Sequence, residues 1–221
     1  MHADILTLDR NWTPHAWIPL EEAIILEAKD LVIDHLGESV TVYHGGKNRI
    51  TGLQSTLETS SIIVIDGAAN PRKYRDPALT NTSLFQRDNF LCAYCGYVFK
   101  TSDLTCDHIH PQNPEDPKVP KGKDHWMNVV TSCQSCNSLK GNILPGQSLP
   151  KVNGHQLLGP QGTGKMEPLY LPYVPCKAEH LIMKNRSIKF DQMQFLLERV
   201  KNPNSRIFGY ANTIFKDQLH A

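Results

Sequence analysis

The sequence predicts an α+β fold, on three observations. Residues 4–8 and 31–35 read as strands with a helix-spaced segment between them. Two Cys-x-x-Cys pairs, Cys92/Cys95 and Cys133/Cys136, enclose a long middle segment. Beyond it, Phe190, Met193, Leu196, Leu197 and Val200 have the spacing of a helix with one apolar face. A chain of 221 residues with 40% hydrophobic content is long enough for one good-sized core or two small ones.

Taken in order, the first helix is expected to have Pro19 in its first turn and Glu21 and Glu22 at its positive end, with Ile24, Ile25 and Ala28 as its apolar stripe. Residues 39–43 and 61–66 read as further strands, which makes residues 1–70 a small acidic α+β N-terminal unit. Pro71 to Pro77 is a basic linker, and Asn81 or Thr82 caps a short helix that enters the metal module at Arg87. Residues 71–150 form that module. Its strand-like pieces are Thr105–Ile109 and Asn142–Leu144, and Pro111–Asp124, with four prolines and three lysines, is a loop. Residues 151–221 are a loop followed by a C-terminal helical extension.

Net charge is only +1, but it is unevenly placed. Residues 1–70 hold 4 Lys/Arg against 10 Asp/Glu, and residues 71–221 hold 19 against 12. The cysteine-bearing part is therefore the basic part, as a phosphate-binding surface requires. Basic clusters stand at Arg72-Lys73-Tyr74-Arg75, at Lys118, Lys121 and Lys123, and at Lys184, Arg186 and Lys189. Nothing at the start reads as a signal peptide, and Ile62–Ile65 is too short to span a bilayer.

Each Cys-x-x-Cys places two sulfurs at the tip of a tight turn, and two such turns close a tetrahedral four-thiolate site for a structural Zn²⁺. Such a cage has no open position, so any chemistry belongs to other residues. The spacer of 37 residues between the pairs holds more than a minimal zinc ribbon needs, and within it lies Asp107-His108-Ile109-His110-Pro111. Cys106 and Cys176 are left over, Cys106 as a small buried side chain or a substitute zinc ligand. Zinc-bound thiolates place the chain in a reducing cytoplasm.

The segments CAYC, DHIHP, HWMNVVTSC and CNSLKGN resemble the HNH endonuclease family, the ββα-metal nucleases, in its zinc-bearing free-standing bacterial or phage form. The resemblance covers about a quarter of the chain. It implies that His108 is the general base, that Asp107 binds a divalent ion, Mg²⁺ or Mn²⁺, that Asn128 braces the loop and that Asn137 completes the metal site. The last histidine of the family's name is Asn137 here. Expected products are 5′-phosphate and 3′-hydroxyl ends. The chemistry agrees, since an imidazole with an ordinary pKa near 6.5 suits activation of water and hard oxygens suit a magnesium-like ion. Neighbouring strand residues point to opposite faces, so Asp107 and His108 serve one phosphate only where the strand ends or bulges.

Asn137 and Lys140 share a helix face, which makes Lys140 a candidate phosphate contact together with Lys118, Lys121, Lys123 and Arg87. His110 is at most a supporting residue. The expected partner is DNA, double-stranded in preference to RNA, with no membrane; the oligomeric state stays open, a homodimer among the options. The competing reading is a non-catalytic zinc module that binds nucleic acid or a partner protein. Gly159–Lys165 fits GxxxxGK, but Met166 stands where a P-loop needs Ser or Thr, and Pro168 and Pro172 oppose a following helix.

Overall fold

The computed structural model describes residues 4–66, 76–185 and 187–216. Arg72-Lys73-Tyr74-Arg75, most of the Pro71–Pro77 linker and Arg186 lie outside them. Elements run β1 (Ile5–Leu8), β2 (Pro14–Ile18), α1 (Leu20–Ala28), β3 (Val32–Lys47), β4 (Gln54–Ile65) and α2 (Asn81–Arg87). Then come β5 (Leu104–His108), β6 (Val129–Cys133), α3 (Gln134–Lys140), β7 (Lys151–Val152) and β8 (His155–Gln156), followed by α4 (Lys177–Lys184), α5 (Phe190–Leu197) and α6 (Ile207–Ile214). The fold is α+β. Contacts divide the chain into two compact units, Met1–Arg75 with Cys176–Ala221, and Asp76–Pro175.

The first unit is built on a sheet in the order β2-β1-β4-β3, in which β1 runs parallel to β4 and the other neighbours are antiparallel. Ile5, Ile18 and Ile63 pack on α1 through Leu20, Ala23 and Ile24. Leu6, Leu8, Ile62 and Val64 pack on α4 to α6 through Leu181, Ile182, Met193, Leu196, Ile207 and Ala211. Helices thus cover both faces, which is why β4 reads as an unbroken apolar run rather than an alternation. The buried Gln192 locks α5 to the sheet, its Nε2 donating to Asp4 O at 2.9 Å and Ser61 O at 2.7 Å.

Several sequence expectations change here. β2 was not foreseen; it begins with Pro14, which lacks an N–H and is tolerated because β2 is an edge strand. Residues 31–35 and 39–43 belong to a single strand with a register shift between Leu36 and Val40. Gly37 sits in that irregularity at φ +83, where a Cβ would meet Ser61 Oγ and Asp191 Oδ2 at 2.5 Å. Pro19 is the N-cap of α1 and not part of its first turn. The helix consequently buries Leu20, Ala23 and Ile24, and leaves Ile25 52% exposed. Thr80, not Asn81 or Thr82, caps α2, its Oγ1 accepting from Ser83 N at 3.1 Å. The helices read as an extension after residue 150 pack on the N-terminal sheet, a long-range pairing that no local pattern announces.

In the second unit β5 and β6 pair antiparallel, from Leu104 opposite Cys133 to His108 opposite Val129, and α3 follows at once. The second strand of this ββα arrangement is therefore Val129–Cys133. Asn142–Leu144, expected as a strand, is not one. An all-apolar-or-small run buried at every position carries no period-two signal, which hid β6. Gly159–Lys165 lies in a loop with no helix directly after it, the next beginning at Lys177, and Gly159, Gly162 and Gly164 all take positive φ.

Candidate active site

Four sulfurs open the site. The Sγ atoms of Cys92, Cys95, Cys133 and Cys136 lie within 4.8 Å of one another, two from the turn after α2 and two from the junction of β6 with α3. Zn–S bonds of about 2.3 Å hold tetrahedral sulfurs about 3.8 Å apart, so the cluster fits a structural zinc. Burial pushes the Cys92 thiol up, but backbone N–H groups of Cys95, Cys133 and Tyr94 outweigh it and the thiol sits at about 7. That favours the thiolate a metal requires. Cys106 stands outside the cluster, its thiol pushed up to about 12 by burial and then by Asp124 and Asp107. Cys176 lies in the other unit.

The same knuckle aims a phenol at Asp107. Tyr94, between the first two cysteines and completely buried, donates its hydroxyl to Asp107 Oδ2. Lys140, at the end of α3 and 2% exposed, donates its Nζ to Asp107 Oδ1 at 3.2 Å and to the backbone oxygen of His108 at 2.8 Å. Asp107 is itself 4% exposed. Burial raises its carboxyl above the ordinary 3.8, with the Lys140 charge and the Tyr94 hydrogen bond opposing the rise. Lys140 was a candidate phosphate contact; its ammonium is instead buried against Asp107, which removes it from any surface a phosphate could reach.

His108 ends β5 and lies half-buried next to Asp107. Its Nε2 is 3.2 Å from Asp124 Oδ1 and 3.1 Å from the Gln112 amide. The Asp124 carboxylate can only accept from a protonated Nε2, whereas the Gln112 amide nitrogen can only donate to an unprotonated one, so the two neighbours call for opposite tautomers; Nδ1 makes no hydrogen bond among the described residues. The strand end turns Asp107 and His108 toward one space. With Asn137, Cys106, Gln112 and Asn142 they line a cavity of about 300 Å³. Asn137 Nδ2 donates to Thr105 Oγ1 at 2.5 Å, and its Oδ1 accepts nothing among the described residues.

Asn128 is a clasp across the loop that follows β5. Its Oδ1 accepts from His110 N at 2.9 Å, and its Nδ2 donates to His110 O at 3.1 Å and Lys123 O at 3.0 Å. Gly122 lets the returning chain pass over this clasp, since a Cβ there would stand 1.7 Å from His110 O. Asn128 does not line the cavity shared by Asp107, His108 and Asn137. Lys118, Lys121 and Lys123 are exposed on the loop, and Lys121, Lys123 and His110 border a second cavity of about 560 Å³.

Arg87 is a correction. It was expected to reach nucleic acid, but it is 1% exposed and its side chain is spent inside. Nε and Nη2 bond the Asp88 carboxylate at 2.7 and 3.0 Å, Nη1 bonds Trp126 O and Tyr173 O at 3.0 Å, and Nη2 bonds Val129 O at 2.9 Å. Its guanidinium also stands 5.3 Å from the ring centres of Trp126 and Tyr173. Sequence reading missed Tyr94, Asp124 and Asp88. Only Tyr94 carries a local signal, its place between the two cysteines of a Cys-x-x-Cys pair.

This geometry is that of a ββα site beside a four-cysteine cluster fit for zinc. Residues 92–142 match the family model HNH endonuclease, so an HNH domain occupies this part of the chain, similar to nucleases that act on nucleic acid. No curated protein matches the chain. No helix among the described residues is long and apolar enough to cross a membrane.

Proposed function

We propose that the chain is an endonuclease that hydrolyses DNA phosphodiesters, with His108 as general base and one divalent ion held by Asp107 and Asn137. The observation that carries this reading is the convergence of Asp107, His108 and Asn137 on one cavity of about 300 Å³. The donor set fits a hard cation. Each Asp107 oxygen holds one hydrogen bond and keeps a lone pair, and Asn137 offers an uncommitted Oδ1. Mg²⁺ or Mn²⁺ bound there would supply charge neutralisation at the phosphoryl and leaving oxygens.

The chain's own residues do the rest. On this reading Asp124, in preference to the Gln112 amide nitrogen, takes the hydrogen of His108 Nε2; Nδ1 removes a proton from water as the water oxygen bonds phosphorus, and the P–O3′ bond breaks with the 3′ oxygen taking a proton from solvent. The resulting imidazolium is stabilised by the same carboxylate. Tyr94 and Lys140 fix the Asp107 carboxylate in place, and Lys140 also pins the backbone of His108, so the base and the metal ligand are positioned by one ammonium. Asn128 ties the loop that carries His110 and Lys123. The exposed Lys118, Lys121 and Lys123 attract the phosphate backbone of double-stranded DNA. The reducing cytoplasm remains the compartment proposed, because the cage uses thiolates.

Supercoiled plasmid with and without magnesium and a chelator is the direct test. The wild-type chain is expected to cut only with the added ion, and His108→Ala to lose about 10²- to 10⁴-fold in rate with zinc content and melting unchanged. Full activity in His108→Ala, or no cutting by wild type with either magnesium or manganese, sinks the proposal.

A further inference from the structure

A third cavity lies in the other unit, far from this chemistry in sequence and independent of it. It has a volume of about 630 Å³ and is lined by Trp12, Pro14, Lys177, Arg199, Val200 and Lys201, among others. That size falls within the ~300–1,000 Å³ usual for small-ligand sites. Its walls are mainly apolar and its charges mainly positive.

The rim residue Trp12 is held out by design of the hairpin between β1 and β2. The Asp9 carboxylate accepts from Asn11 N at 2.8 Å and Thr13 N at 3.0 Å, and Asp9 O accepts from Trp12 N at 2.9 Å. The loop so closed sets Trp12 at φ +60, a left-handed conformation rare for a bulky residue, and leaves it 42% exposed. Arg199 is immobilised, its guanidinium 3.4 Å from the Phe195 ring centre and its Nη1 bonded to Phe195 O at 2.8 Å. Glu198, the one acidic lining residue, pairs with Arg199 at 3.6 Å. Lys201 makes no ion pair among the described residues. The segment 176–221 that supplies these cations holds eight Lys/Arg against four Asp/Glu, beside an acidic N-terminal section.

An exposed indole over an apolar, cation-rimmed hollow suits a flat apolar body that carries negative charge. We infer that this cavity binds a nucleotide, the base stacked on Trp12 and the phosphate held by Lys177 and Lys201. Stacking on an aromatic face tolerates any base, and the lysines supply the charge that tracks a phosphate. Two sources share this chemistry, a free mononucleotide and one unit of an unpaired strand.

The test uses the full zinc-loaded chain with His108→Ala, so that no strand is cut. Calorimetry with dTMP and fluorescence anisotropy with a labelled oligo-dT of about ten nucleotides are the two arms. Binding in the first arm identifies a mononucleotide site, and binding in the second alone identifies a strand site. In whichever arm binds, Trp12→Ala is expected to weaken affinity by about five- to 150-fold, Trp12→Phe to retain most of it, and Lys201→Ala, in the oligonucleotide arm, to flatten the log–log salt slope by about 0.7. Absence of binding in both arms overturns the inference, as does affinity in Trp12→Ala equal to that of the parent. Cleavage plays no part in these readouts, so a chain that fails to cut plasmid leaves this site standing.

Discussion

Two buried cation–carboxylate pairs lie in the four-cysteine unit, and they are finished differently. Arg87 and Asp88 form a closed node: the guanidinium's donors go to Asp88, Trp126, Val129 and Tyr173, and Asp88 Oδ2 also takes Thr131 N at 2.8 Å. Lys140 and Asp107 form an open one. Two of the three ammonium hydrogens have partners among the described residues, the ion-pair distance is 3.2 Å, and the carboxylate borders a cavity. A pair that satisfies every donor fixes a fold; a pair left incomplete at a cavity wall leaves room for a ligand. The planar fork of arginine suits the first task and the point charge of lysine the second.

Removing the cage strikes both pairs and should have the largest effect. Cys133 ends β6 and Cys92 follows Asp88 closely, so Cys133→Ser loosens the strand and turn on which both nodes rest. Structural zinc in small modules is worth about 10–16 kcal/mol of apparent free energy, more than the net stability of most domains. Elemental analysis and thermal melting are expected to show zinc-free, unfolded or aggregated protein. Zinc-free protein that melts like wild type would show the cage to be dispensable.

Arg87→Met comes next, because it leaves a carboxylate buried without its cation, a change that costs about 3–5 kcal/mol. Denaturant unfolding should register that loss, while cutting per folded molecule stays near wild type. A large activity loss at full stability would instead make the closed node part of the chemistry.

Lys140→Met should reverse the pattern, with cleavage reduced more than stability. Its stability change depends on pH. Asp107 is already raised above 3.8 by burial, and without Lys140 it rises further. A raised carboxyl favours the folded state fully below the unfolded value and loses that contribution as pH climbs through the folded value. The melting difference between Lys140→Met and wild type should therefore be small near pH 4 and widen toward neutrality. A difference that is flat across this range would show that the ammonium does not hold the Asp107 charge.

The smallest effect is expected at Asp124, which is 67% exposed beside His108. Exposed pairs are worth about 0.2–1 kcal/mol, so Asp124→Asn should slow single-turnover cutting by at most about fivefold. A hundredfold drop would promote Asp124 from tether to reactant.

Residue type made much of the site legible, and residue environment made the rest opaque. Thiol spacing announced the cage, and an adjacent acid and imidazole between the cysteine pairs announced which side chains face the cavity. Nothing local distinguishes Arg87, sealed among Trp126 and Tyr173, from the exposed Lys121, because burial is decided by strands and loops many residues away. Lys140 shows the same limit: its spacing from Asn137 fixes the helix face but not what lies opposite, and opposite lies Asp107. In the other unit, α1 was legible as a helix, yet its buried stripe depended on where Pro19 stopped β2.

The phenol of Tyr94 has a wider consequence. It grows from the turn that the first two cysteines close, and its hydroxyl ends on the carboxylate that faces the cavity. A chain whose cysteines hold no metal is expected to lose the order of this turn, and with it the phenol's aim. On the function proposed above, cutting is then withheld until the metal is captured, and a zinc-starved cell is expected to accumulate a dormant protein rather than a half-active one.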